Sequence, residues 1–187
     1  LQQFRSFYHD PFDKNSISDN RIQSGCIKFD PFGFLWVGTW KGLNRIKLSG
    51  NGKNIDSVIR FYQHEEDENS LSDNRIISLY PERDKSDATK QVLWVGTYSG
   101  GLNKLLIENP KSEKIPQITY RNFTTHDGLP NNIIYGILRD DNHHLWLSTN
   151  YGLSQFNIQQ EKFQNYHVSD GLQSEQFFWG SYHKNSR

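Results

Sequence analysis

Leu35-Trp36-Val37-Gly38-Thr39, followed by Gly42-Leu43-Asn44-Arg45, is the stretch on which the reading of this chain turns. It recurs as Leu93-Trp94-Val95-Gly96-Thr97 with Gly101-Leu102-Asn103-Lys104, and again as Leu145-Trp146-Leu147-Ser148-Thr149 with Gly152-Leu153-Ser154. A second signature precedes each copy. Ile17-Ser18-Asp19-Asn20-Arg21-Ile22, Leu71-Ser72-Asp73-Asn74-Arg75-Ile76 and Leu129-Pro130-Asn131-Asn132-Ile133-Ile134 occupy equivalent places, and Gly171-Leu172-Gln173-Ser174 opens a fourth. Upstream of each junction lies an aromatic run: Phe4–His9, Ile59–Tyr62, Tyr120–Phe123 and Phe163–His167. The repeat tryptophans are 58 residues apart (36 to 94) and 52 apart (94 to 146). The excess over a period in the forties falls in polar insertions at 47–57, 81–90 and 108–116, where surface loops tolerate extra length.

Each unit reads as four short strands: an inner strand (Ile22–Phe29, Ile76–Tyr80, Ile133–Leu138), the tryptophan strand, the Gly-Leu-Asn strand and the aromatic strand. Frequent turn signals without helical periodicity argue for an all-β chain. A four-stranded unit of roughly 40–50 residues with a tryptophan signature argues for propeller blades. The expected fold is therefore a partial β-propeller over 1–187, with about three four-stranded antiparallel blades and flanking strands. Residues 1–9 read as the last strand of a preceding blade, 10–64, 65–124 and 125–168 as blades, and 169–187 as the start of the next. Trp36, Trp94 and Trp146 are expected as core between blades. Gly38 and Gly96 are expected where neighbouring sheets approach, and Gly42 and Gly101 in tight turns. Three blades and a part cannot close a ring of about four to eight, so open apolar faces are expected at both ends. The remaining blades of the same propeller are the expected partners for those faces.

Composition narrows the function classes. The chain has 187 residues, with 21 Lys+Arg balanced by 21 Asp+Glu. A formally neutral chain offers no general attraction to phosphate backbones, so no nucleic-acid partner is expected. The hydrophobic share is low at 34%, but aromatics supply 14%, a balance that suits short strands better than helices. Cys26 is the single cysteine, which excludes an internal disulfide and a four-thiolate zinc site. The longest apolar run, around Phe32–Val37, is too short to span a bilayer. A chain that opens on Leu1 and contains no methionine reads as an excised or processed piece.

The tandem signatures resemble the two-component regulator propeller repeats. The matching residues are Asp30, Gly33, Leu35–Thr39 and Gly42–Asn44, the junctions Asn15–Asn20 and Asn69–Asn74, the late-repeat form Asp127–Asn132, and Asp170–Phe177, which is similar to the opening of a last blade. The third unit departs from the pattern at Ser148 and Ser154, and carries His143 where the turn usually has glycine. The resemblance implies a periplasmic ligand-sensing module of an inner-membrane hybrid histidine kinase, a homodimer that responds to an oligosaccharide or similar small ligand. It also implies the sensor of a diguanylate cyclase, and a separate structural reading is a rigid scaffold for dimerisation or protein contact. A propeller hydrolase or lyase is the weakest alternative, because no nucleophile, metal or phosphate-loop motif is present and the carboxylates form no preferred pair.

No catalytic residue, metal ligand or cofactor is expected. His9, His64, His126 and His167 recur on successive units and are read as turn and strand-end residues. The candidate ligand contacts lie in loops that share one face of a propeller. Asn20, Arg21, Asn74, Arg75 and Asn132 come from the loops leading into the inner strands. Trp40, Lys41, Tyr98, Asn150 and Tyr151 come from the loops after the tryptophan strands. Aromatic planes stack on sugar rings, and amide and guanidinium groups hydrogen-bond hydroxyls.

Overall fold

The computed structural model describes residues 5–184. Twelve strands form three four-stranded antiparallel sheets, each a simple meander. The first contains β1 (Ile27–Phe29), β2 (Leu35–Thr39), β3 (Gly42–Leu48) and β4 (Ile55–Phe61). The second contains β5 (Ile76–Arg83), β6 (Gln91–Thr97), β7 (Leu102–Ile107) and β8 (Ile118–Phe123). The third contains β9 (Ile134–Arg139), β10 (His144–Thr149), β11 (Leu153–Asn157) and β12 (Lys162–Tyr166). These are three propeller blades. The inner strand of the first blade is shorter than expected, beginning at Ile27 rather than Ile22. Strand β5 runs through Pro81 to Arg83 instead of stopping at the insertion. The expected flanking strands are not formed among the described residues: 5–9 and 169–184 join no ladder, and Phe4 lies outside the described residues.

Every residue of the repeated signature has a local task. The indole N–H of each tryptophan donates to an acidic side chain near the end of the inner strand: Trp36 to Asp30 (2.9 Å), Trp94 to Glu82 (3.0 Å) and Trp146 to Asp140 (3.0 Å). The threonine that ends the strand donates its hydroxyl to the carbonyl of the turn glycine, from Thr39 to Gly42, Thr97 to Gly101 and Thr149 to Gly152. Those glycines carry φ of +122°, +77° and +85°, a region closed to most L-residues. His143, at φ +71°, occupies the left-handed turn position held by Gly33 (φ +92°) in the first blade. Buried Asn44 and Asn103 in the third strands bond the junction serines Ser18 and Ser72.

Two apolar layers separate the blades. Cys26, Trp36, Leu43 and Phe61 of the first blade meet Leu71, Ile76, Leu79 and Leu93 of the second. Val92, Trp94, Leu102 and Phe123 of the second meet Leu129, Ile134, Ile137 and Phe156 of the third. Strand pairing places Trp36 and Gly38 on the face turned to the second blade, and Ile27, Leu35 and Val37 on the opposite face. Ile27 and Phe29 are 55% and 64% exposed there. Trp146 corrects the expectation of three core tryptophans. It is half-buried, stacked on Tyr166 at 5.6 Å, on a face that, among the described residues, no further blade covers and that the segment Tyr182–Lys184 meets.

Gly38 and Gly96 sit where one blade touches the inner strand of the next. A Cβ on Gly38 would lie 2.5 Å from Ile76 Cγ2, and one on Gly96 would lie 2.0 Å from Ser78 Oγ and 2.7 Å from the Ile134 carbonyl. Gly96→Ala should therefore destabilise the propeller by about 1–3 kcal/mol through overpacking. Chemical unfolding of the full-length protein checks this, and an unchanged midpoint contradicts the assigned blade contact.

Candidate functional site

The chain reaches each inner strand through a tight acidic or amide turn, and the same pin recurs at all four junctions. Asn20 Oδ1 accepts the His9 amide (2.7 Å), Asn74 Oδ1 that of Gln63 (2.8 Å), Asn132 Oδ1 that of Thr125 (2.9 Å), and Glu175 Oε1 that of Val168 (3.0 Å). The carbonyls of Asn74, Asn132 and Glu175 accept the amides of Gly42, Gly101 and Gly152 in the preceding blade, at 2.8, 3.0 and 2.6 Å. The three asparagines singled out as ligand contacts thus have their side-chain oxygens engaged in pinning the incoming chain to the junction turn. Only their Nδ2 groups are left to point elsewhere.

The residues between the pins build a continuous row. Asp19 Oδ1 accepts from the main chain (2.8 Å) and Nε (2.9 Å) of Arg21, and Lys41 Nζ approaches its Oδ2 at 3.8 Å. Asp73 repeats this with Arg75 N (2.9 Å) and Nε (3.1 Å), and adds the Ser99 amide (2.9 Å) and hydroxyl (2.7 Å). So held, Arg21 lies 5.4 Å from the Trp40 ring centroid and Arg75 lies 4.8 Å from that of Tyr98. Trp40 and Tyr98 meet across the blade boundary at 5.7 Å. The order is cation, indole, phenol, cation, spanning two blades, with each cation–π contact worth about 0.5–1 kcal/mol where exposed. Trp40 Nε1 is buried and has no hydrogen-bond partner among the described residues.

The third blade is different in chemistry. Asn131 takes the place of the acids, bonding the Ile133 amide at 2.8 Å, so no arginine stands there. Asn150 Oδ1 accepts from Tyr135 Oη at 3.0 Å. Tyr151 is exposed and lies against the His167 ring at 4.9 Å. The structure therefore gathers Arg21, Trp40, Lys41, Tyr98 and Arg75 into one surface, and in the third blade sets Asn150 beside Tyr135. Tyr135 and Trp179, 6.0 Å apart, were not singled out from sequence. The available signal was Tyr135 itself, an aromatic where the second blade has Ile77.

Arg21 hydrogen-bonding holds the Asp19 carboxyl below the ordinary carboxylate range, with burial opposing. For Asp73 burial is the largest influence and pushes upward, but the bonds from Arg75 and Ser99 outweigh it and the net shift is downward. A depressed folded-state pKa adds stability that is present above the ordinary value and lost as pH falls through the folded one. Burial pushes the Cys26 thiol up to about 12, and it lies at the first blade boundary with Sγ 3.4 Å from the Ile76 carbonyl.

Similarity to known proteins agrees with the propeller fold. Residues 16–41 and 128–151 match the two-component regulator propeller model. The chain is 33% identical to Histidine kinase P4 of Formosa agariphila over 184 residues, covering 76% of this chain and 13% of that protein. The crystal structure of an extracellular domain assigned to a hybrid two-component system of B. thetaiotaomicron superposes with a TM-score of 0.65 at 26% identity. It covers 86% of this chain and 20% of that domain. The chain is a run of blades from a β-propeller. Two of its stretches match the two-component regulator propeller family, and the chain spans about one eighth of the curated relative it matches. No helix among the described residues is long and apolar enough to cross a membrane.

Two outcomes are expected. The stability lost by the wild type between pH 5 and about pH 3 should be smaller in Asp73→Asn, read from urea midpoints across the range; equal losses contradict the Arg75 clamp. Cys26 should react with a thiol reagent at pH 8 only as fast as the protein unfolds, read as colour release with and without denaturant.

Proposed function

We propose that these blades form part of the periplasmic ligand-sensing propeller of a hybrid two-component histidine kinase, and that the inner-loop face receives a small ligand, an oligosaccharide by its chemistry. The observation that carries this reading is the row Arg21, Trp40, Tyr98, Arg75, in which acidic side chains hold the cations against aromatic faces. Such a surface is preorganised, so little side-chain freedom is lost when a ligand docks. Aromatic planes offer stacking for a sugar ring, while Arg21, Lys41, Arg75 and Asn150 offer hydrogen bonds to hydroxyls. The similarity to a histidine kinase and to an extracellular domain of a two-component system supports the sensor role. On this reading the blades do no chemistry. They bind, and a ligand that prefers one arrangement of the receptor shifts its two-state equilibrium. The parent protein acts as an inner-membrane homodimer.

The test is a thermal-shift screen of the full-length receptor against a broad glycan panel. A stabilising glycan is expected, and Trp40→Ala or Arg75→Ala should weaken it at least tenfold, about 1.4 kcal/mol. Unchanged melting across the panel, with a stable dimer, would replace the sensor reading by that of a rigid scaffold.

A further inference from the structure

We propose that a cleft between the second and third blades, at the ends of β5 and β9 opposite to the inner-loop face, binds an oxyanion group, carboxylate or sulfate, of a small ligand. The cleft is a cavity of about 290 Å³, at the lower end for small-molecule sites. Both of its carboxylates have partners. Glu82 accepts the Trp94 indole N–H at 3.0 Å on one oxygen and pairs with Arg139 on the other. Asp84 Oδ1 accepts the Ser86 amide and hydroxyl and the Asp87 amide, closing its own turn.

The cationic donors around the same cavity keep capacity for an acceptor. Lys104 Nζ lies 5.6 Å from the Trp94 ring centroid, and no carboxylate lies within ion-pair distance of it among the described residues. Lys85 Nζ stands 2.6 and 2.9 Å from the two ring nitrogens of His143, from which an anion could draw it. The Arg139 side chain is only 10% exposed, and its buried Nε–H has no acceptor among the described residues. A buried donor without an acceptor is costly, and a charged acceptor makes the stronger hydrogen bond with a guanidinium or an ammonium. Four cationic side chains against two carboxylates, with Lys104 in no ion pair among the described residues, Lys85 held by an imidazole and Arg139 carrying an orphaned N–H, leave an anion as the complementary occupant. His143 supports this placement, since its left-handed backbone turns the imidazole toward Lys85 where glycine would present nothing. The site is independent of the inner-loop face, which lies at the other end of the same strands.

The experiment titrates the full-length protein with sodium sulfate and with sodium malonate, each against sodium chloride at equal ionic strength, reading melting temperature and tryptophan fluorescence. The wild type should respond to at least one of the two beyond chloride. Lys104→Gln should raise the concentration needed for half the response at least fivefold, and Lys85→Gln, an exposed position that leaves the core untouched, should raise it in the same direction. Trp40→Ala should leave the response unchanged, which separates this site from the inner-loop face. A response to sulfate alone assigns a tetrahedral anion, and one to malonate alone assigns a carboxylate. Sulfate also stabilises proteins generally by exclusion from their surface, so an equal increment in wild type, Lys104→Gln and Lys85→Gln overturns the proposal, as does no response beyond chloride.

Discussion

A backbone hydrogen bond carries this architecture from blade to blade: the amide of the turn glycine in one blade donates to the carbonyl of the junction residue in the next. Gly42 reaches Asn74, Gly101 reaches Asn132, and Gly152 reaches Glu175. The bond can form only if the turn holds a left-handed φ and if nothing projects from it, because a Cβ on Gly101 would lie 2.1 Å from the Phe123 carbonyl. It also requires the junction carbonyl to be presented, which the pin from Asn74, Asn132 or Glu175 to the incoming chain achieves. Glycine, threonine and asparagine in the signature are thus parts of one device. The tryptophan, tethered by its indole N–H to an acidic side chain, fills the space that the device defines.

The candidate site is a by-product of that device. Because the junction turn and the tryptophan-strand turn are bound together at the same end of each blade, whatever side chains they carry are brought side by side. In the first two blades those are Asp-Asn-Arg and an aromatic, and the result is the row from Arg21 to Arg75. In the third blade the same scaffold carries Asn131, Ile133 and Asn150, and the surface becomes neutral. Position is set by the repeat and chemistry by the few residues that the repeat leaves free. The same division explains the cleft at the opposite end, where the insertion after β5 brings Lys85 across to His143.

Much of the fold was legible because it is written three times. The tryptophan, glycine and threonine positions recur in register, and a recurrence of that length leaves little room for another architecture. Trp146 was misread because periodicity reports equivalence of position, while burial depends on what stands against the outer face of the third blade. The flanking strands were overestimated for a related reason: an aromatic run such as Phe4–His9 has strand character, but a ladder needs a neighbouring strand. In the site, Trp40, Tyr98, Arg21 and Arg75 could be named from their loops. The engagement of Asn20, Asn74 and Asn132 as pins could not, because an asparagine in a turn reads the same whether its amide faces the backbone or a ligand. Tyr135 and Trp179 were hidden because their meeting depends on the path of the chain after β12, which no local pattern encodes.

The central claim is that the glycine-to-junction bonds hold the blades in the register that creates both surfaces. Amide hydrogen exchange at Gly42 and Gly101 in the full-length protein tests it most directly. The account predicts that both amides exchange only through global unfolding, as slowly as the central strands that flank them. Exchange at the rate of exposed loop amides such as that of Gly50 would contradict it.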